Sequence, residues 1–237
     1  MKPIFIANWK MNLSLQEATT KAKHIEAQNY PTQFLLAIPA TYLAYFTKTF
    51  KKITFCAQDV SVVSGFGAYT GECSADMIKS AGVNYSVIGH SEKRELVPES
   101  NRIIRKKAEN CTRAGIVPII CIGESLESRQ SGHFQEFLLE QLNESIPGNA
   151  QEIIIAYEPL WAIGSGIIPT IEEISAIFHF IKSSKDVSMV AKKARLVYGG
   201  SVNSGNYREI LNIPDASGVM LGSASLKETE LDLILNL

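Results

Sequence analysis

The sequence has no surplus of charge of either sign. Its 237 residues carry 23 lysines and arginines against 24 aspartates and glutamates, a formal net charge of −1 at pH 7. With no basic run either, the chain lacks the electrostatic footprint of a nucleic-acid binder, and a small anionic ligand would have to be held by local dipoles or single lysines. Cysteine is scarce: Cys56, Cys73, Cys111 and Cys121 are the four present. None forms a CxxC pair or a metal-ligand spacing, so the expectation is reduced thiols, no bound metal or cofactor, and a cytoplasmic protein. Long apolar runs are absent as well. None approaches the roughly 20 residues that span a bilayer. The opening Met1-Lys2-Pro3-Ile4-Phe5-Ile6-Ala7-Asn8 turns polar too soon for a signal peptide. No Pro/Ser/Gly-rich linker interrupts the chain, so residues 1–237 read as one domain.

What is there is apolar and regularly spaced. Apolar residues make up 46% of the chain and charged residues 20%, enough for a large core and too little polarity for global disorder. Short apolar runs predict strands over 3–7, 34–38, 53–57, 85–88, 116–122, 153–157, 195–198 and 218–221. Pro118 falls inside the fifth run and blurs its boundary. Between the runs lie helical stripes, among them Ile171, Ile174, Ile177, Phe178 and Ile181, opened by the capping box Thr170-x-x-Glu173. Ser14-x-x-Glu17 opens another, and Phe134, Phe137, Leu138 and Leu142 form a third. Strands alternating with helices predict a parallel sheet; eight such units suit a single closed (β/α)8 barrel, with an open doubly wound sheet as the alternative.

Chemistry-bearing residues follow the strand runs. The first run ends in Asn8-Trp9-Lys10, the fourth in Gly89-His90-Ser91-Glu92, the fifth in Gly123-Glu124 and the sixth in Glu158. The seventh ends in Gly199-Gly200-Ser201 and the eighth in Gly222-Ser223. In a barrel these ends share one face, so the groups should converge. Glu158 is followed by Pro159-Leu160-Trp161-Ala162-Ile163-Gly164-Ser165-Gly166. Proline stiffens one end of that loop and glycine frees the other, as expected of a lid that closes over a base. The glycine turns after runs seven and eight suit a phosphate held by backbone N–H groups.

Taken in order, Ala7-Asn8-Trp9-Lys10, Gly67-Ala68-Tyr69-Thr70-Gly71-Glu72, Ile88-Gly89-His90-Ser91-Glu92, Cys121-Ile122-Gly123-Glu124, Ala156 through Gly166, Tyr198-Gly199-Gly200-Ser201-Val202 and Gly222-Ser223-Ala224-Ser225-Leu226 resemble the triosephosphate isomerase family over essentially the full length. The resemblance implies a TIM barrel that interconverts dihydroxyacetone phosphate and D-glyceraldehyde 3-phosphate without metal or cofactor. It implies that Glu158 is the base, that His90 is a neutral electrophile, and that Lys10 and Asn8 stabilise the enediolate oxygens. Glu92 would support Lys10, and Gly164, Ser201, Gly222 and Ser223 would donate N–H groups to the phosphate. It further implies a homodimer in which the loop running from Gly65 to Glu72 enters the partner and the residue at Thr70 buttresses the partner's site. Arg94 and Glu99 resemble a family ion pair, and Cys121 reads as a packed thiol.

Three positions depart from the pattern. Ser223 replaces a common glycine, and would be strained if that turn needs a positive φ. Asp59 stands where asparagine is usual, which would make the dimer sensitive to pH or salt. Lys93 stands where arginine is usual, losing bidentate pairing. None removes a catalytic group. Two other readings compete: a non-catalytic phosphate-binding homologue, which loss of Glu158, His90 or Lys10 would favour, and a barrel enzyme acting on another sugar phosphate, against which the motifs of runs one, four and six argue.

Overall fold

The structure is a computed structural model that describes residues 2–28, 30, 33–163 and 167–236. Eight parallel strands close into a barrel in chain order: β1 (Ile4–Asn8), β2 (Gln33–Ile38), β3 (Thr54–Ala57), β4 (Tyr85–Ile88), β5 (Val117–Ile122), β6 (Ile154–Tyr157), β7 (Arg195–Tyr198) and β8 (Ala216–Leu221). β8 returns to pair with β1, so the open-sheet alternative does not apply and no edge strand is left exposed.

Alternation along each strand sorts the apolar residues into two layers. Ile4, Ile6, Leu35, Ala37, Cys56, Val87, Ile119, Cys121, Ile154, Ala156, Val197 and Met220 fill the barrel interior. Their neighbours, such as Phe5, Ala7, Leu36, Ile120, Ile155 and Leu196, face the helices that surround it. Both faces of each strand are therefore dry, which is why the strands read as unbroken apolar runs. The helix Ile171–Ser183 buries Ile174, Ile177, Phe178 and Ile181 and starts with the reciprocal Thr170/Glu173 cap. Ser14 and Glu17 make the same exchange ahead of Leu15–Gln28.

The strand bounds shift where polarity or proline intrudes. Pro118 lies within β5 opposite Ser86 of β4. The Val117 N–H points to β4, bonding Asn84 O at 2.8 Å, so the N–H that Pro118 lacks would face β6. Pairing with β6 begins one residue later, at Ile119, and no ladder bond is lost. β8 starts at Ala216, earlier than its apolar run, because Ala216 pairs with Leu196 despite its small side chain. At the β8–β1 seam a Cβ on Gly218 would stand 1.9 Å from Ile4 O, so only glycine lets the last strand close on the first.

Candidate active site

Strand parity carries Asn8 and Glu158 to one place. Ile4 and Ile6 point inward, so Asn8 does too, at the C-terminal mouth of β1. Ile154 and Ala156 likewise place Glu158 over the interior just past β6. His90 reaches the same mouth by a different route. Val87 is interior and Ile88 faces the helices, so a continuing strand would turn His90 outward. Gly89 has φ 65°, a left-handed step open to glycine, and it redirects the chain.

His90 then sits against the carboxylate, with Nε2 3.2 Å from Glu158 Oε1. The Ser91 N–H donates to Glu158 Oε2 at 3.1 Å. His90 also caps the helix Ser91–Leu96, its Nδ1 accepting the Glu92 N–H at 3.3 Å. A ring that accepts at Nδ1 carries its proton at Nε2, the nitrogen facing Glu158. Both residues are buried, Glu158 to 2% exposure and His90 to 7%.

Lys10 projects its ammonium 2.8 Å from Glu92 Oε1. Its backbone is the only non-glycine one with a positive φ, 53°, among the described residues. Asn8 Oδ1 accepts the Lys10 N–H at 3.0 Å. Around these groups opens a cleft of about 600 Å³, lined also by Gly199, Ser201, Gly222, Ser223 and Lys227. The glycine turns after β7 and β8 thus face the carboxylate across one cavity, arranged to receive an anion beside a buried base.

Close backbone approach shapes this mouth. A Cβ on Gly123 would fall 1.8 Å from Glu158 O, so β5 and β6 meet there without a side chain between them. Gly123→Ala is expected to displace the Glu158 backbone and to destabilise the fold by about 3 kcal/mol or more. Urea unfolding would read the loss, and a stability within error of the parent would contradict this account of the approach.

Glu124, fully buried, anchors the start of the loop that follows Glu158. It accepts the Trp161 Nε1–H at 2.8 Å and the Tyr157 hydroxyl at 3.0 Å, with Arg129 at 3.3 Å. Burial and the Glu124 carboxylate push the Tyr157 phenol up, holding it protonated as a donor. Gly164, assigned to the phosphate by resemblance, lies outside the described residues. Burial, then the neighbouring Glu158 carboxylate, raises the Cys121 thiol, which sits in the barrel interior as a packed, protonated group.

Not every expected neighbour is here. Thr70 is exposed, and it does not line the cleft of its own chain. Ser223 escapes the strain foreseen for it: its φ is not positive, because the turn is made by Gly222 at φ −89°, ψ −110° and Ser223 opens the 3-10 segment Ser223–Leu226. Among the described residues Arg94 and Glu99 form no ion pair. Arg94 donates instead to Gly89 O, Asn101 Oδ1 and Cys121 O. Glu99 takes Lys107 at 2.7 Å, while Asp59 takes Lys107 at 2.7 Å and Lys93 at 3.1 Å. Two of the three departures from the family pattern, Asp59 and Lys93, are therefore partners of each other. Lys107 and Lys227 carried no sequence signal beyond being lysines.

The family model for triosephosphate isomerase matches residues 3–237. A triosephosphate isomerase of Francisella philomiragia is 38% identical over 247 residues, spanning 100% of this chain and 97% of that protein. One from Orientia tsutsugamushi is 38% identical over 99% of this chain and 97% of its own length. The crystal structure of triosephosphate isomerase from Bartonella henselae superposes with a TM-score of 0.86 at 35% identity, covering 99% of this chain and 98% of that one. With the barrel closed, the strand-end residues gathered in one cleft and this likeness along the whole chain, the protein belongs to the triosephosphate isomerase family.

Proposed function

We propose that the chain interconverts dihydroxyacetone phosphate and D-glyceraldehyde 3-phosphate, with Glu158 as the base. The observation that carries this reading is the buried Glu158 carboxylate held 3.2 Å from His90 Nε2 in a cleft shared with Lys10. Glu158 takes a proton from C1 of the ketose, leaving an enediolate; the O1 hydroxyl proton passes to O2 by way of His90 Nε2, and Glu158 returns its own proton to C2 to give the aldose; the reverse reaction runs the same steps backwards. Negative charge grows on the two substrate oxygens as the proton leaves. The Lys10 ammonium, the His90 Nε2–H and the Asn8 side-chain amide act as its donors, fixed before the reaction starts. Substrate takes over the His90 Nε2–H from Glu158, freeing the carboxylate to face carbon. Ser201, Gly222 and Ser223, together with Gly164, hold the phosphate through backbone N–H groups, and Glu92 steadies Lys10. The lid that starts at Pro159 excludes water, which protects the enediolate.

We read residues 1–237 as one working domain in a cytoplasmic homodimer. Support for the dimer comes from exposed apolar side chains around the loop 65–72: Phe66 is 77% exposed, Met11 94% and Leu96 79%. A second cleft of about 700 Å³, lined by Met11, Leu96 and Val97, opens beside Lys10 and Glu92. In a symmetric pair that cleft accepts the same loop from the other copy, so that the partner's Thr70 buttresses the site. Deleting 65–72 is expected to give a weakly active monomer, read by sedimentation; an undisturbed dimer counts against this interface. The four free thiols suit a reducing compartment.

A further inference from the structure

Gln58 follows β3 and lines the second cleft, not the one holding Glu158. Its side-chain Nε2 reaches three oxygens: Lys10 O at 3.0 Å, Asn8 Oδ1 at 3.2 Å and Ala37 O at 3.2 Å. These tie the ends of β1, β2 and β3 together through one amide. Two of the three belong to residues at the reacting centre. Lys10 has the left-handed backbone, a conformation unfavourable for lysine that persists only where surroundings enforce it. Asn8 Oδ1 already accepts the Lys10 N–H, and a second donor from Gln58 fixes which end of the Asn8 amide is turned away. The Asn8 NH₂ is then left for the cleft.

We propose that Gln58 is a positioning residue for the isomerisation: it holds Lys10 in its left-handed conformation and sets the Asn8 amide so that both present donors to the enediolate oxygens. This rests on the functional reading above. Gln58 touches no substrate and acts through its two neighbours.

Gln58→Leu removes both protons of the NH₂, and Gln58→Glu replaces them with a carboxyl that donates one proton when neutral and none when ionised. Expected for Gln58→Leu is a loss of about tenfold or more in kcat/KM, since small misplacements of catalytic groups are costly. In Gln58→Glu, kcat/KM falls further below the parent as pH rises through the new carboxyl's titration, because the ionised form repels all three oxygens. Competition by inorganic phosphate stays near the parent value in both, the phosphate turns lying across the cleft. A purely structural role would lower melting temperature without altering the pH profile of the folded enzyme. A folded Gln58→Leu with parental kcat/KM, or a Gln58→Glu profile superimposable on the parent's, overturns the proposal. If Gln58→Leu does not fold, the Gln58→Glu profile decides. An inactive parent overturns the functional reading itself, whereas an active parent with unmoved variants overturns only the role of Gln58.

Discussion

Glu158→Asp is expected to lower turnover by about a hundredfold while leaving the fold intact, since removing one methylene withdraws the carboxylate by roughly 1 Å. The substitution keeps the charge, and it keeps an oxygen able to face the Ser91 N–H and His90 Nε2, which now bind Glu158 at 3.1 and 3.2 Å. What it loses is reach. The carboxylate stands at the end of an inward-pointing strand register whose backbone is pinned by the Glu158 N–H to Ile122 O bond of 2.7 Å, so the main chain cannot advance to compensate. Steady-state kinetics with thermal melting would separate the two effects. A variant that melts like the parent yet turns over within a few-fold of it would mean that the base is elsewhere.

Lys10→Met should cost about 10²–10³ in kcat/KM, the scale found when one preorganised donor to a developing oxyanion is removed. Methionine keeps the unbranched stem and deletes only the charge. Stability should move little, because Glu92, the partner left behind, has a side chain 48% exposed that water can solvate. A drop of less than tenfold would assign the oxyanion chiefly to His90 and Asn8. A large fall in melting temperature would instead make Lys10 a structural residue held in its left-handed backbone for packing.

The fold was legible because parallel barrel strands are dry on both faces and so appear as continuous apolar runs. Its strand bounds moved by one residue at β1, β2, β3, β5 and β6, and by two at β8, where Ala216 pairs without an apolar side chain to announce it; Pro118, whose missing N–H is harmless, stays inside its strand. Much of the site was legible for a related reason: a polar residue directly after a dry run has the strand mouth as its natural place. Asn8, His90, Glu158, Ser201 and Gly222 all stand there. What the sequence hid were contacts between side chains and strand ends far apart in the chain. Gln58 reaches Lys10 and Lys107 reaches Asp59, each 48 residues away, with no local pattern to mark either. The expected Arg94–Glu99 pair failed for a different reason: Lys107 takes Glu99 Oε1 at 2.7 Å, while Arg94 donates to Gly89 O, Asn101 Oδ1 and Cys121 O. Backbone geometry was hidden too: lysine gives no sign that Lys10 is left-handed, and serine gives none that Ser223 is relaxed.

Whether Glu158 drives the isomerisation is decided by feeding glyceraldehyde 3-phosphate to the purified protein, following dihydroxyacetone phosphate in a coupled assay, and running Glu158→Gln beside it. Rapid turnover by the parent is expected, with a loss of about 10²–10⁴ in the variant, the range for removing a general base. A folded parent without turnover would rule out the isomerase activity, and a glutamine variant that retains turnover would rule out Glu158 as the base.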